Sequence, residues 1–174
     1  MDSIWRETAE RPKFPTLDQD IKAEVLIIGG GMAGLLCAHR LAQAGVDYVL
    51  VEAEEIGGGV TGNTTAKVTA QHGLIYDKLI QTFGLEAAQK YLEANQKAVE
   101  DYRTLSREIP CDFEEQESIV YTLHDQGPLR RELTALERLG VPAQLREALP
   151  LPFPTAGGVC FPGQGQFQDR KSVV

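Results

Sequence analysis

Six residues, Gly29-Gly30-Gly31-Met32-Ala33-Gly34, constrain this chain more than any other feature. They fit the pattern G-x-G-x-x-G, which alone is common. Here the pattern follows the apolar run Val25-Leu26-Ile27-Ile28 and opens a segment carrying Leu35, Leu36 and Leu41 at helical spacing, with Gly45 as its stop. A second apolar run, Tyr48-Val49-Leu50-Val51, ends on Glu52, 23 residues after Gly29. Strand, glycine turn, helix, strand and acid in this order describe a βαβ unit that binds a dinucleotide. Continuous apolar runs predict strands buried on both faces, paired in parallel through a right-handed crossover.

The roles follow from geometry. Gly29 permits a tight strand-to-helix turn. Gly31 lets the backbone approach a pyrophosphate, and Gly34 lets the helix pack against the strands. The amides and positive dipole end of that helix attract the anion. Glu52 can accept hydrogen bonds from a ribose, and its charge repels a 2′-phosphate. That leaves FAD or NAD. The loop Ile56-Gly57-Gly58-Gly59-Val60-Thr61-Gly62-Asn63-Thr64-Thr65-Ala66-Lys67 offers small residues, free amides and hydroxyls, suited to run beside an extended flavin chain. An NAD-linked enzyme would enter another α/β unit sooner.

Residues 1–22 read as an N-terminal arm, and 23–110 as the first half of a cofactor domain with a helical insertion. Within it Leu79 to Ile109 repeats apolar residues every three or four positions, Gly84 divides two helices and Pro110 ends the second. Residues 111–167 read as the start of a second domain. It holds a strand over Ser118–Leu123, a helix over Pro128–Leu139, and a strand over Gly158–Phe161 closed by a Pro162-Gly163 turn.

The strand and turn from Glu24 to Gly31, the Glu52 strand end and Thr61-Gly62-Asn63-Thr64-Thr65-Ala66-Lys67 resemble the FAD-dependent oxidoreductases of the D-amino-acid oxidase/glycine oxidase superfamily. Thr64-Thr65-Ala66-Lys67, Gln71-His72-Gly73 and the Trp5-Arg6 arm resemble a bacterial branch that often carries a C-terminal Rieske domain. The resemblance implies an α/β fold: a Rossmann-like FAD-binding βαβ unit with the beginning of a mixed α+β substrate domain, incomplete. It implies that Gly29, Gly31, Met32, Ala33 and Gly34 hold the pyrophosphate and Glu52 the ribose. Thr61, Gly62, Thr64, Thr65 and Ala66 would line the path to the isoalloxazine. Lys67, read by itself, either places positive charge near the flavin or is a solvated loop lysine. The implied reaction is hydride removal from a C–N bond of an amine or amino acid. The implied cofactors are FAD and, in a missing C-terminal part, a Rieske [2Fe–2S] cluster. The alternatives are an NAD-linked oxidoreductase and a noncatalytic FAD-binding module.

The family pattern continues beyond Phe167, so the chain reads as an N-terminal fragment, inactive by itself. Residues 168–174 match the translation of a common sequencing-adapter read and are expected to be a non-native tail. The balance of 17 basic to 25 acidic residues, net −8, argues against nucleic-acid or anionic-membrane surfaces. No apolar run is long enough to span a membrane and no secretory signal is visible, so a cytoplasmic location is expected. Cys37, Cys111 and Cys160 give neither a disulfide framework nor a zinc spacing. Cys37 reads as a small core residue, and Cys111 and Cys160 as inert. His72 reads as structural, with proton transfer as the alternative. Tyr91 and Tyr102 read as core. No catalytic residue is assigned.

Overall fold

The structure is a computed structural model that describes residues 12–167. The Trp5-Arg6 arm and the 168–174 tail lie outside the described residues. The described chain divides into two compact units: 12–66 with 109–112, and 67–108 with 113–167.

The first unit is the βαβ element. Strand β1 (Val25–Ile28) pairs in parallel with β2 (Tyr48–Val51), Val25 opposite Tyr48 and Ile28 opposite Val51. Helix α1 (Met32–Gln43) connects them and packs on both. Its end is a full Schellman motif. Gly45 stands at φ +68°, its N–H donates to Ala42, and the Val46 N–H donates to Leu41. Burial on both strand faces does not hold: Leu26 is 59% exposed and Ile28 82%. Helix α1 packs on both strands; on β1 Leu26 and Ile28 stay exposed, while every residue of β2 is half-buried.

The second unit is an antiparallel sheet with helices. Strands β3 (Lys67–Val68) and β4 (Glu114–Thr122) flank β6 (Gly157–Gln166), and β5 (Gln144–Arg146) also pairs with β6. Helices α2 (Tyr76–Phe83) and α3 (Leu85–Glu108) are divided at Gly84, φ +85°. Helix α4 (Gly127–Arg138) packs on α2, β5 and β6. Tyr76, Leu92, Leu129, Leu136, Val159 and Phe161 are the unit's largest fully buried apolar side chains.

The helices over 76–108 group with the β3–β6 sheet, in the unit that takes in Lys67. Helix α2 shows one tie within this unit, since its first amides are bound by a side chain of α4. One expectation changes here: Pro162-Gly163 does not end the last strand. Phe161 pairs with Ser118 and Gln164 with Gln116, so Glu117 faces two residues, a β-bulge with Gly163 at φ +67°. Proline's missing donor is tolerated at such a bulge, and the strand continues to Gln166.

Candidate cofactor site

The glycine turn joins β1 to α1 in three residues. Gly29, at φ +108°, continues the ladder by donating to the Val51 carbonyl at 2.8 Å. Gly34 lies against the turn: a Cβ there would stand 2.0 Å from the Gly29 carbonyl oxygen and 3.3 Å from Ile27 Cγ2. A Cβ on Gly31 would meet only Thr61 Oγ1, at 3.5 Å, so the turn is open there.

Gly31 is the N-cap of α1 and supplies no side-chain cap. The first intrahelical bond runs from the Leu35 N–H to the Gly31 carbonyl, so the amides of Met32, Ala33 and Gly34 precede any helical acceptor. Thr61 Oγ1 accepts the Met32 N–H at 3.1 Å. The helix start presents amides and a positive dipole end, which can hold an anion.

Glu52 is exposed and tied down at both oxygens. Oε2 accepts the Gly30 N–H at 2.7 Å, and Oε1 accepts the Glu54 N–H at 3.1 Å. These amides, Gly30 foremost, hold its carboxyl below the usual carboxylate range. The carboxylate keeps lone-pair capacity for a hydroxyl donor.

Gly30 is the residue sequence reasoning missed, because the pattern leaves its position unread. Its N–H goes to Glu52, its carbonyl accepts the Gly57 N–H at 2.8 Å, and a Cβ would collide with Ile56 Cδ1 at 2.5 Å. The run of three glycines was the available signal.

The loop after Glu52 returns to this turn. Thr61 and Gly62 are buried in a short 3₁₀ turn, Thr61–Asn63. Thr64 is half-buried and donates to the Thr61 carbonyl at 3.4 Å; Thr65 is exposed, and Ala66 is buried at φ +53°. Gly29, Gly31, Met32, Ala33, Gly34, Glu52, Thr61, Gly62, Thr64, Thr65 and Ala66 thus share the first unit, while Lys67, exposed, opens β3 of the second.

In the second unit His72 gains the partner its sequence context lacked, Nδ1 lying 2.8 Å from Tyr91 Oη. Tyr102 stacks on Phe167. Cys37 is exposed, which corrects the core assignment, while Cys111 and Cys160 are buried and burial pushes the Cys160 thiol up. A cavity of about 370 Å³ is lined by Val99, Arg103, Val141, Phe161 and Gln164 among others. Its Arg103 is paired with Glu115 and Glu100 and offers no uncompensated charge. Among the described residues no group of three His, Cys, Asp or Glu could hold a metal, and no helix is long and apolar enough to cross a membrane.

The sequence profile of the DAO family, described as FAD dependent oxidoreductase, matches residues 24–174. The chain belongs to this family. YhfW of Bacillus subtilis, named as a Rieske 2Fe-2S iron-sulfur protein, is 36% identical over 170 residues, covering 95% of this chain and 33% of its own length. Gamma-glutamylputrescine oxidoreductase of Escherichia coli is 34% identical over 76 residues, 44% of this chain and 18% of its own. L-proline dehydrogenase from P. horikoshii superposes with a TM-score of 0.69 at 21% identity, over 87% of this chain and 40% of that one. Glycine oxidase from Geobacillus kaustophilus gives 0.63 at 22%, over 87% and 42%. These structural likenesses show the fold, and the family chain described here spans about a third of its relative YhfW.

Proposed function

We propose that this chain is the cofactor-holding first part of an oxidoreductase that removes hydride from a C–N bond of an amine or amino acid and passes it to FAD. The observation that carries the reading is the glycine turn with an ionised Glu52 fixed at its mouth by the Gly30 amide at 2.7 Å. The donor set fits an adenine dinucleotide: helix-start amides for the pyrophosphate, a carboxylate for ribose hydroxyls, and an open side at Gly31. The names of relatives support the substrate class, since they speak of proline, glycine and gamma-glutamylputrescine, all carrying C–N bonds.

In this reading Gly29, Gly31, Met32, Ala33 and Gly34 cradle the pyrophosphate, and Glu52 grips the ribose. Thr61, Gly62, Thr64, Thr65, Ala66 and Lys67 follow the cofactor toward its flavin end. Bound FAD supplies the hydride acceptor; the protein contributes orientation and electrostatics. A Rieske cluster in a longer protein is supported by the YhfW likeness. Cytoplasmic residence is supported by three unbridged thiols.

The test is equilibrium titration of the chain with FAD, NAD and NADP, followed by flavin fluorescence and calorimetry. Saturable FAD binding with rejection of NADP is expected. Preference for NAD over FAD, or binding of neither, would overturn the reading.

A further inference from the structure

Residue 30 is a glycine that its backbone does not require. Gly29 beside it stands at φ +108°, a region that favours glycine, whereas Gly30 has no positive φ. Contact is what excludes a side chain there. The place of its Cβ lies 2.5 Å from Ile56 Cδ1, 3.2 Å from Glu52 Cβ and 3.4 Å from Glu52 Cγ. Cδ1 is the far end of a flexible side chain, and Ile56 is only half-buried, so it can swing aside at little cost. The Glu52 stem gives way less freely, because its carboxylate is tied at both oxygens.

The tie to Gly30 differs in kind from the others. Glu52 also takes the amides of Glu54 and Ala53, but these belong to its own segment and move with it. The Gly30 N–H, at 2.7 Å, comes from the glycine turn, 22 positions earlier. The Gly30 carbonyl is held in turn by the Gly57 N–H at 2.8 Å, one residue past Ile56. A single residue thus fixes the carboxylate relative to the start of α1, and the returning loop fixes that residue.

We infer that Gly30 is a positioning residue for the ribose of the cofactor: its N–H aims the Glu52 carboxylate, and its missing side chain leaves the Glu52 stem where that aim is possible. The inference rests on the reading that this turn holds FAD. Ribose and pyrophosphate are joined in one molecule, so the carboxylate must stand at a set place relative to the helix-start amides. A carboxylate already held there loses little freedom on binding. In Gly30→Ala the methyl group presses on the Glu52 stem and loosens the bond to residue 30, so the carboxylate has to be ordered at the moment of binding. The fold is spared, because Ile56 yields. This sets Gly30 apart from Gly34, whose Cβ would meet backbone.

Denaturant unfolding, FAD titration and NMR titration of the Glu52 carboxyl without ligand test this on the wild-type chain, Gly30→Ala, Glu52→Ala and the variant carrying both. Gly30→Ala should keep the wild-type unfolding midpoint and bind FAD about five- to tenfold more weakly. Its Glu52 should titrate at higher pH than in the wild type, since the foremost amide holding it low is loosened. On the Glu52→Ala background the same change should cost less than about twofold in FAD affinity, because the group it acts through is already gone. Equal losses on both backgrounds would make Gly30 a structural part of the turn and overturn the inference, as would an unmoved Glu52 titration. Where Gly30→Ala does not fold, Gly30→Ala/Ile56→Ala removes the 2.5 Å collision and is held to the same outcomes. Absence of saturable FAD binding by the wild-type chain overturns the reading of the turn and the ribose role with it; wild-type binding with additive losses overturns the inference alone.

Discussion

At Gly34 a methyl group would stand 2.0 Å from the Gly29 carbonyl oxygen, inside any contact real Cβ atoms make, and that atom is backbone rather than the far end of a flexible side chain. Gly34→Ala must therefore push α1 off β1. Overpacking of this kind costs about 1–3 kcal/mol, and the shift moves the helix-start amides. Denaturant unfolding should show that loss, and FAD titration a further loss of affinity. Gly59→Ala, with open space around it, should unfold at the wild-type midpoint. Glu52 makes a different prediction. Its carboxyl is held low by the Gly30 and Glu54 amides, so it binds a proton only below its unfolded value of about 4.3. Its contribution is present above that value and is lost as pH falls through the lowered, folded one. FAD affinity measured from pH 7 downward should therefore hold through the ordinary carboxylate range before falling. Glu52→Gln should bind about tenfold more weakly or worse, without that acid transition. The strand-to-helix turn at Gly29–Gly34 and the end of β2 at Glu52 were legible as local structure, because their spacing is fixed by one turn. Gly30 was not, because its partners, Glu52 and Gly57, are set by where β2 ends and how the loop returns.

Among the elements, α2 depends on a side chain 55 to 57 residues away. Glu132 on α4 is fully buried; Oε1 accepts the N–H groups of Ile75 and Tyr76 at 3.1 and 3.0 Å, and Oε2 that of Asp77 at 2.9 Å. These are helix-start donors with no helical acceptor, so Glu132 caps α2 from another element. Tyr76, so held, donates from Oη to the Ala70 carbonyl at 2.5 Å. Glu132→Ala should destabilise the chain by about 2–4 kcal/mol in denaturant unfolding. Glu132→Gln, which keeps one acceptor, should fall between the two. Burial pushes the Glu132 carboxyl up more than the three amides pull it down. The sign follows: a raised folded value makes this group most favourable below about pH 4.3, and that contribution is lost as pH rises through the folded value. Stability measured upward from pH 4 should carry this decline in the wild type and lack it in Glu132→Gln. No sequence signal marked Glu132, since its position in the α4 pattern reads as polar and its partners are distant. Strands β3 and β5 escaped for another reason: two and three residues show no periodicity, and pairing with β6 alone defines them. Helices α2, α3 and α4 were legible, because repeated apolar positions over two or more turns outweigh local accidents.

On the scale of the whole chain, the sequence and the structure disagree most about what the first unit lacks. Runs such as Val25–Ile28 belong to strands covered on both faces, yet Leu26 and Ile28 face outward and β1–β2 is a two-stranded sheet. An isolated strand pair with one bare apolar face is marginal in water, and unpaired edges template further strands. The chain spans 33% of the length of YhfW and 40% of L-proline dehydrogenase, and apolar Leu26 and Ile28 left exposed on β1 agree with a strand shaped for a larger sheet. The consequence is testable on the chain alone. Ile28, at 82% exposure, packs little here, so Ile28→Thr gives up little burial while breaking the apolar surface. Light scattering during concentration should show the wild-type chain associating and Ile28→Thr staying smaller at equal concentration. Their unfolding midpoints should agree within about 0.5 kcal/mol, the usual effect of a surface substitution. A loss beyond about 1.5 kcal/mol, the scale of burying an aliphatic side chain, would mean that Ile28 is covered in solution and the face is not bare.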